Sequence, residues 1–155
     1  MLSEKKARKL NSYFSTVPYL KGFEIAVKES KPLSAMSSYN LLNGEHTAGR
    51  FDLLTEVLRN EWGFDGFVMS DWGTTGSGDV NPVQSEKYGY ADTAMCIKAG
   101  NDLIMPGSQA DVDRILDSLH SEEENSLTLE ELRRAAFRII RVIMKSSRER
   151  GFQYE

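Results

Sequence analysis

Gly66-Phe67-Val68-Met69-Ser70-Asp71-Trp72-Gly73 runs from a turn through an apolar stretch to an acid beside a tryptophan. The pattern predicts a buried strand over Phe67 to Ser70 that delivers a carboxylate into a flexible, glycine-bearing loop. Catalytic residues of α/β barrels sit at the C-terminal ends of strands and on the loops that follow. An aspartate next to an indole also suits sugar chemistry, because the carboxylate meets a developing positive charge and the flat ring offers an apolar face to a pyranose. Strand-ending aspartates also serve as turn formers and helix caps, and the segment by itself leaves those roles open.

On either side of this strand, helical and strand-like patterns alternate. Upstream, Leu54, Val57, Leu58 and Trp62 form an apolar stripe from about Arg50, with Gly63 placed to stop that helix and Asp65-Gly66 to turn the chain. Before it, Leu33 to Ser38 reads as a short strand and Asn43-Gly44 as a turn. A first helix is expected from Thr16-Val17-Pro18, with Tyr19, Phe23 and Val27 on its apolar side. Downstream, Thr74 to Gln84 is rich in Gly, Ser, Thr, Asp and Asn and reads as a long loop. A helix over about 86–99, burying Ala91, Ala94 and Met95, is expected to stop at Gly100. Leu103-Ile104-Met105 is a third apolar strand, closed by Pro106-Gly107. Val112, Ile115, Leu116 and Leu119 mark the next helix. The last carries Leu132, Ala136, Ile139, Ile140 and Ile143, with Thr128 and Glu131 as a capping box.

Short apolar strands alternating with amphipathic helices predict an α/β fold with about three parallel strands under covering helices. That is too few to close a barrel, which usually needs about 250 residues. An open sheet of this kind leaves two unpaired edges, so either something else completes it or the arrangement differs from this reading, and the sequence favours the first. Residues 1–18 are expected to be a loose polar arm and 148–155 a tail.

Bulk properties narrow the function. The 155 residues carry a net charge of -4 with 40% hydrophobic and 27% charged residues, near globular averages. An acidic chain argues against nucleic-acid or anionic-membrane partners, and no apolar run approaches the roughly 20 residues needed to span a bilayer. Met1-Leu2-Ser3-Glu4-Lys5-Lys6 has no apolar segment behind it and does not read as a signal peptide. The single cysteine, Cys96, excludes an internal disulfide and any multi-cysteine metal site, and its apolar surroundings predict a buried thiol. His46 reads as an exposed histidine with no partner at ligand spacing. Gly76-Ser77-Gly78 lacks the helix a phosphate loop requires. Asp102 begins a strand and is expected at the opposite end from Asp71.

Several blocks, taken together, resemble a known family. Met36-Ser37-Ser38-Tyr39-Asn40, Asn43-Gly44, Leu53-Leu54 to Leu58-Arg59, Glu61 through Trp72, and Ala99-Gly100-Asn101-Asp102-Leu103 to Met105-Pro106-Gly107 are similar, in order and spacing, to glycoside hydrolase family 3, the β-glucosidases. The resemblance covers about residues 19–147. It implies the C-terminal part of a TIM-type (β/α)₈ catalytic barrel. It also implies a retaining glycosidase that acts on β-linked glucosides or related oligosaccharides, without metal or organic cofactor.

In such an enzyme one carboxylate attacks the anomeric carbon, and a second carboxyl about 5–5.5 Å away serves as acid and base. By resemblance Asp71 is the nucleophile, Tyr39 a phenol orienting it, and Met36 and Trp72 walls of the sugar pocket. A core or packing role remains open for each of the last three. The family's Lys-His-Phe block does not occur in residues 1–35, and the family's acid/base usually comes from a following domain. The isolated chain is therefore expected to hydrolyse glycosides feebly or not at all. The alternative is a non-catalytic half-barrel that binds sugar or self-associates.

Overall fold

A computed structural model describes residues 18–76 and 89–149, with the side chains of Pro18, Tyr19, Arg148 and Glu149 left aside. Nearly all of the expected N-terminal arm, most of the expected loop from Thr74 to Gln84 and the end of the tail lie outside these residues. In chain order the elements are α1 (Pro18–Ser30), β1 (Ser34–Met36), β2 (Leu41–Leu42) and β3 (Glu45–His46). A single 3₁₀ turn (Thr47–Gly49) and a π-type helix (Asp52–Glu61) come next. They are followed by β4 (Phe67–Met69), α2 (Thr93–Ala99), α3 (Gln109–His120) and α4 (Leu129–Glu149).

The quoted strand is where the sequence places it. β4 pairs in parallel with β1, in the register Ser34↔Phe67, Ala35↔Val68 and Met36↔Met69. Gly66 allows this approach: a Cβ there would lie 2.2 Å from the Leu33 carbonyl oxygen. The third strand is reduced to one parallel bridge, Met69↔Leu103, so the regular parallel sheet has two strands among the described residues. The chain turns away at the cis Met105–Pro106 peptide and at Gly107, whose φ is +76°. Asn43-Gly44 is the tip of a small antiparallel hairpin, β2–β3, with φ of 54° and 83° at the two turn residues. That is the left-handed pair a two-residue hairpin requires.

The helices cover the sheet much as their patterns predict, with shifts of face. Leu54, Val57 and Leu58 of the π-helix are buried. Leu54 and Leu58 pack with Val27, Phe64, Val68 and Ala99 in one core cluster. Gly63, at φ +73°, ends the helix, as expected. Phe23 is exposed, so α1 contributes Val27 and not the full expected stripe. α2 starts at Thr93 rather than near residue 86, because the Asp92 carboxylate caps it by accepting from Met95 N at 3.0 Å. That cap turns Met95 to solvent.

On α3 the inward residues are Ile115 and Leu119, while Val112 and Leu116 face out. On α4 they are Leu132 and Ala135, not Ala136, Ile140 and Ile143. The stripe is rotated because Arg138 must point inward to reach Asp102 at 3.0 Å. The capping box holds: Thr128 N donates to Glu131 Oε2 at 2.8 Å, and Glu131 N to Thr128 Oγ1 at 3.3 Å. No described helix is long and apolar enough to cross a membrane.

Candidate active site

Because β1 and β4 are parallel and in register at Met36↔Met69, everything just after those two residues emerges at one end of the sheet. Asp71 follows β4 by two residues and Tyr39 follows β1 by three. The pairing continues past the strands, with Ser37 N donating to Met69 O at 2.8 Å and Ser70 N to Leu103 O at 2.8 Å. This is the C-terminal end of the sheet, the end at which parallel α/β architectures hold their reacting groups.

The structure brings all four sequence-predicted residues to this end. Asp71 is half-buried, and its Oδ1 accepts from Trp72 N at 2.7 Å. The Tyr39 hydroxyl donates to the Trp72 carbonyl, which places the phenol beside the Asp71 loop. A phenol has one proton to give, and here it goes to that carbonyl. Desolvation first, then the nearby Asp71 carboxylate, push the Tyr39 phenol above its ordinary pKa. Met36 and Trp72 are 55% and 49% exposed, so two large apolar side chains at this end of the sheet keep much of their surface in water.

Other residues hold the loop in place. Ser70 and Thr74 are fully buried. Both direct hydroxyl groups at the Asp71 carbonyl, at 3.0 and 2.9 Å. Ser37 donates to Asn101 Oδ1 at 2.9 Å, and Asn101 Nδ2 donates to the Ala48 carbonyl at 2.6 Å. This ties the chain after β1 to the segment before Leu103. Serine and threonine carry no periodicity signal, so nothing local in the sequence marks these contacts.

Asp102 is expected at the opposite end from Asp71 but sits level with Val68, the middle residue of β4, because its backbone N–H donates to the Val68 carbonyl at 2.7 Å. Its side chain has no solvent exposure. It accepts from Arg59 at 2.6 Å, from Arg138 at 3.0 Å and from Val68 N at 2.8 Å. Burial holds the Arg59 guanidinium below its usual pKa, against the opposing pull of Asp102. This is a structural ion cluster. His46 departs from expectation: it is buried, with Nε2 hydrogen-bonded to the Gly89 carbonyl at 2.7 Å and Nδ1 without a partner among the described residues. The Cys96 thiol is buried, as expected, and burial pushes its pKa up to about 12. Among the described residues no group of three or more His, Cys, Asp or Glu side chains could hold a metal ion.

Two clefts that indent the described surface are lined by residues other than Asp71. One, of about 330 Å³, lies beside the loop and is lined by residues such as Thr75, Gly76, Tyr90 and Asp111. The other, of about 390 Å³, lies near Gly66 and is rimmed by Lys28, Lys31, Arg141 and Lys145. Asp71 shares with Met36, Tyr39 and Trp72 the C-terminal end of the parallel pair.

Comparison with known proteins settles the family. The profile of the glycosyl hydrolase family 3 N-terminal domain matches residues 11–142. The chain belongs to this family. It is 41% identical over 124 residues to β-glucosidase B of Emericella nidulans, a match covering 79% of this chain and 13% of that protein. It is 40% identical over 132 residues to a β-glucosidase of Ruminococcus albus, covering 83% and 13%. Among solved structures, β-glucosidase 3B from Thermotoga neapolitana in complex with glucose superposes with a TM-score of 0.64 at 40% identity. That match covers 81% of this chain and 16% of the solved one. The family 3 chain thus spans about 13% of the length of these two curated relatives.

Proposed function

We propose that this family 3 chain is the nucleophile-bearing part of a retaining β-glycosidase acting on β-linked glucosides, built as the C-terminal portion, residues 19–147, of a TIM-type barrel. The observation that carries the reading is the placement of Asp71. Asp71 stands just past the C-terminal end of parallel strand β4, near enough to Tyr39 to raise the phenol's pKa, at the end of the sheet where Met36 and Trp72 are exposed. Relatives named as β-glucosidases, and a solved β-glucosidase in complex with glucose, support this substrate class.

In the proposed chemistry an Asp71 carboxylate oxygen attacks the anomeric carbon and forms a C–O bond as the glycosidic C–O bond breaks. The leaving oxygen takes a proton from a general acid. Water then attacks the same carbon and gives its proton to that group's conjugate base. The Asp71–sugar bond breaks and the β configuration is restored. Tyr39 orients the carboxylate, while Trp72 and Met36 receive the apolar face of the ring.

General acid help is worth about 10²–10⁴-fold, and no described carboxyl is read as that acid. The isolated chain is therefore proposed to turn over glycosides weakly or not at all. A single slow event tests the nucleophile better than turnover does. Prolonged incubation with an activated 2-deoxy-2-fluoro-β-glucoside should leave one sugar adduct on the peptide containing Asp71, read by mass spectrometry, and none in Asp71→Asn. Adduct at another residue, adduct that persists in Asp71→Asn, or no adduct at all would overturn the assignment.

The edges of the sheet favour a second reading. Among the described residues β1 pairs only with β4, so its other edge offers unpaired backbone groups to a further strand. A chain that serves as a sugar-binding half-barrel would cover that edge by self-association. Light scattering decides it: a well-folded monomer at high concentration counts against it.

A further inference from the structure

We infer that Ser70 and Thr74 form a hydroxyl clamp on the Asp71 carbonyl that sets the direction in which the Asp71 carboxylate leaves its loop, which makes both of them positioning residues. The inference rests on the reading of Asp71 as nucleophile.

Three donors converge on one acceptor. Ser70 Oγ donates to the Asp71 carbonyl at 3.0 Å, Thr74 Oγ1 at 2.9 Å and Thr74 N at 3.3 Å. The backbone turn alone would supply only the last and longest of these. Burying a hydroxyl is unfavourable unless it is bonded, and these two side chains are 0% and 1% exposed. Each hydroxyl has one proton, and both give it to the same oxygen. Alanine and valine would fill the same spaces without that desolvation cost, so the hydroxyls have a specific target, and it is the Asp71 carbonyl.

The clamp is itself anchored. Ser70 Oγ accepts from Met105 N at 2.9 Å, and Gly73 N donates to Met105 O at 2.8 Å. The loop is thus fastened to the chain that runs on from Leu103. Rotation of the Asp71–Trp72 peptide would move the carbonyl out of the clamp. It would also move Trp72 N, which holds Asp71 Oδ1 at 2.7 Å. Displacements of about 1 Å at a reacting group cost on the order of 10²-fold in rate.

The test reads the position of the Asp71 charge without any turnover. In the full chain labelled with ¹³Cζ-tyrosine, the Tyr39 resonance is assigned by its loss in Tyr39→Phe and its ionisation midpoint is followed by NMR. Asp71→Asn should lower that midpoint. Thr74→Val, which keeps the shape and removes the hydroxyl, should lower it by roughly half as much or more, since the carboxylate then moves off the phenol. Thr74→Ser, which restores the hydroxyl, should return it to the parent value. Ser70→Ala should act in the same direction as Thr74→Val.

A Thr74→Val chain with a dispersed amide spectrum and the parent midpoint would overturn the clamp. So would loss of folding in both Thr74→Val and Ser70→Ala, because the hydroxyls would then serve the fold and not Asp71. The two readings fail separately. An unreactive Asp71 leaves no fluoroglucoside adduct while the Tyr39 midpoint still responds to Thr74→Val. An irrelevant clamp leaves both the midpoint and the rate of adduct formation unchanged.

Discussion

Arg59 donates to the Asp102 carboxylate at 2.6 Å in a site where the aspartate has no solvent exposure and the arginine little. The same guanidinium reaches the Gly66 and Gly100 carbonyls at 3.0 and 2.9 Å, so the π-helix, the start of β4 and the end of α2 meet at one cation. Removing one partner of such a cluster strands the other charge in a poorly solvated place. Asp102→Ala should cost about 3–5 kcal/mol, a large share of the roughly 5–15 kcal/mol that holds a domain folded. Urea unfolding followed by circular dichroism measures it. A loss below about 1 kcal/mol, the scale of a surface pair, would show that the cluster is not a keystone of the fold.

Gly66 supports the same region by having no side chain. A Cβ there would stand 2.2 Å from the Leu33 oxygen and 2.6 Å from its carbon, both backbone atoms fixed by the bond from Phe67 N at 3.2 Å. Gly66→Ala should therefore push β1 and β4 apart and destabilise the chain by about 1–3 kcal/mol. Gly49, where a Cβ would meet nothing within 4 Å, is the matched control. Gly49→Ala should stay within about 0.5 kcal/mol of the parent. Equal melting temperatures for the two variants would contradict the close-approach argument.

Local chemistry explains which parts of this arrangement are legible in the sequence. The strand Phe67–Met69 and its acid can be read because apolar character, the Asp65-Gly66 turn and Gly73 are all contiguous. The π-helix can be read from Leu54, Val57 and Leu58, and its end from Gly63. The hairpin strands escape such a reading because two residues are too few to show alternation. The third strand is overcounted because Leu103-Ile104-Met105 has strand composition, yet only Leu103 bridges to Met69. The face of α4 is misjudged because an inward arginine breaks an apolar stripe, and only tertiary structure reveals that Arg138 has Asp102 to meet.

The site divides along the same line. Asp71, Tyr39, Met36 and Trp72 stand in recognisable blocks and come together at one end of the sheet. Ser70 and Thr74 carry no such mark, since their hydroxyl bonds depend on how the loop folds back. His46 reads as exposed because it is polar and isolated in sequence. In the fold it is buried, with its ring bonded to the Gly89 carbonyl, 43 residues away.

Cys96 offers a pH test with a definite sign. Its thiol pKa is raised from the ordinary range to about 12, first by burial and then by the charges of Asp92 and Asp111. A group raised in the folded state contributes stability that is whole below its unfolded value, about 8.5. That contribution is lost as pH rises toward the folded value. The parent should therefore lose stability relative to Cys96→Ala across that alkaline window, measured by urea midpoints at successive pH. At about pH 8, just below that unfolded value, the thiol should react with a soluble disulfide reagent only as fast as the chain opens. Immediate labelling would mean that the thiol is not buried.

Trp72 separates binding from folding. Its indole is half exposed, and the contact that fixes the loop there uses its backbone carbonyl, which accepts from Tyr39, and its backbone N–H, which donates to Asp71. A side-chain deletion leaves both intact, so Trp72→Ala should change the urea midpoint by less than the equivalent of about 0.5 kcal/mol. The proposed sugar wall, by contrast, is the indole itself. Glucose binding, followed by NMR through the Met36 methyl, should weaken on the order of tenfold, or about 1.4 kcal/mol. Because Met36 lies at the end of β1 and Trp72 beyond the end of β4, a sugar between them must perturb both. Unchanged affinity in Trp72→Ala, or a glucose titration that leaves the Met36 methyl unmoved, would remove the indole from the site and with it the apolar half of the proposed pocket.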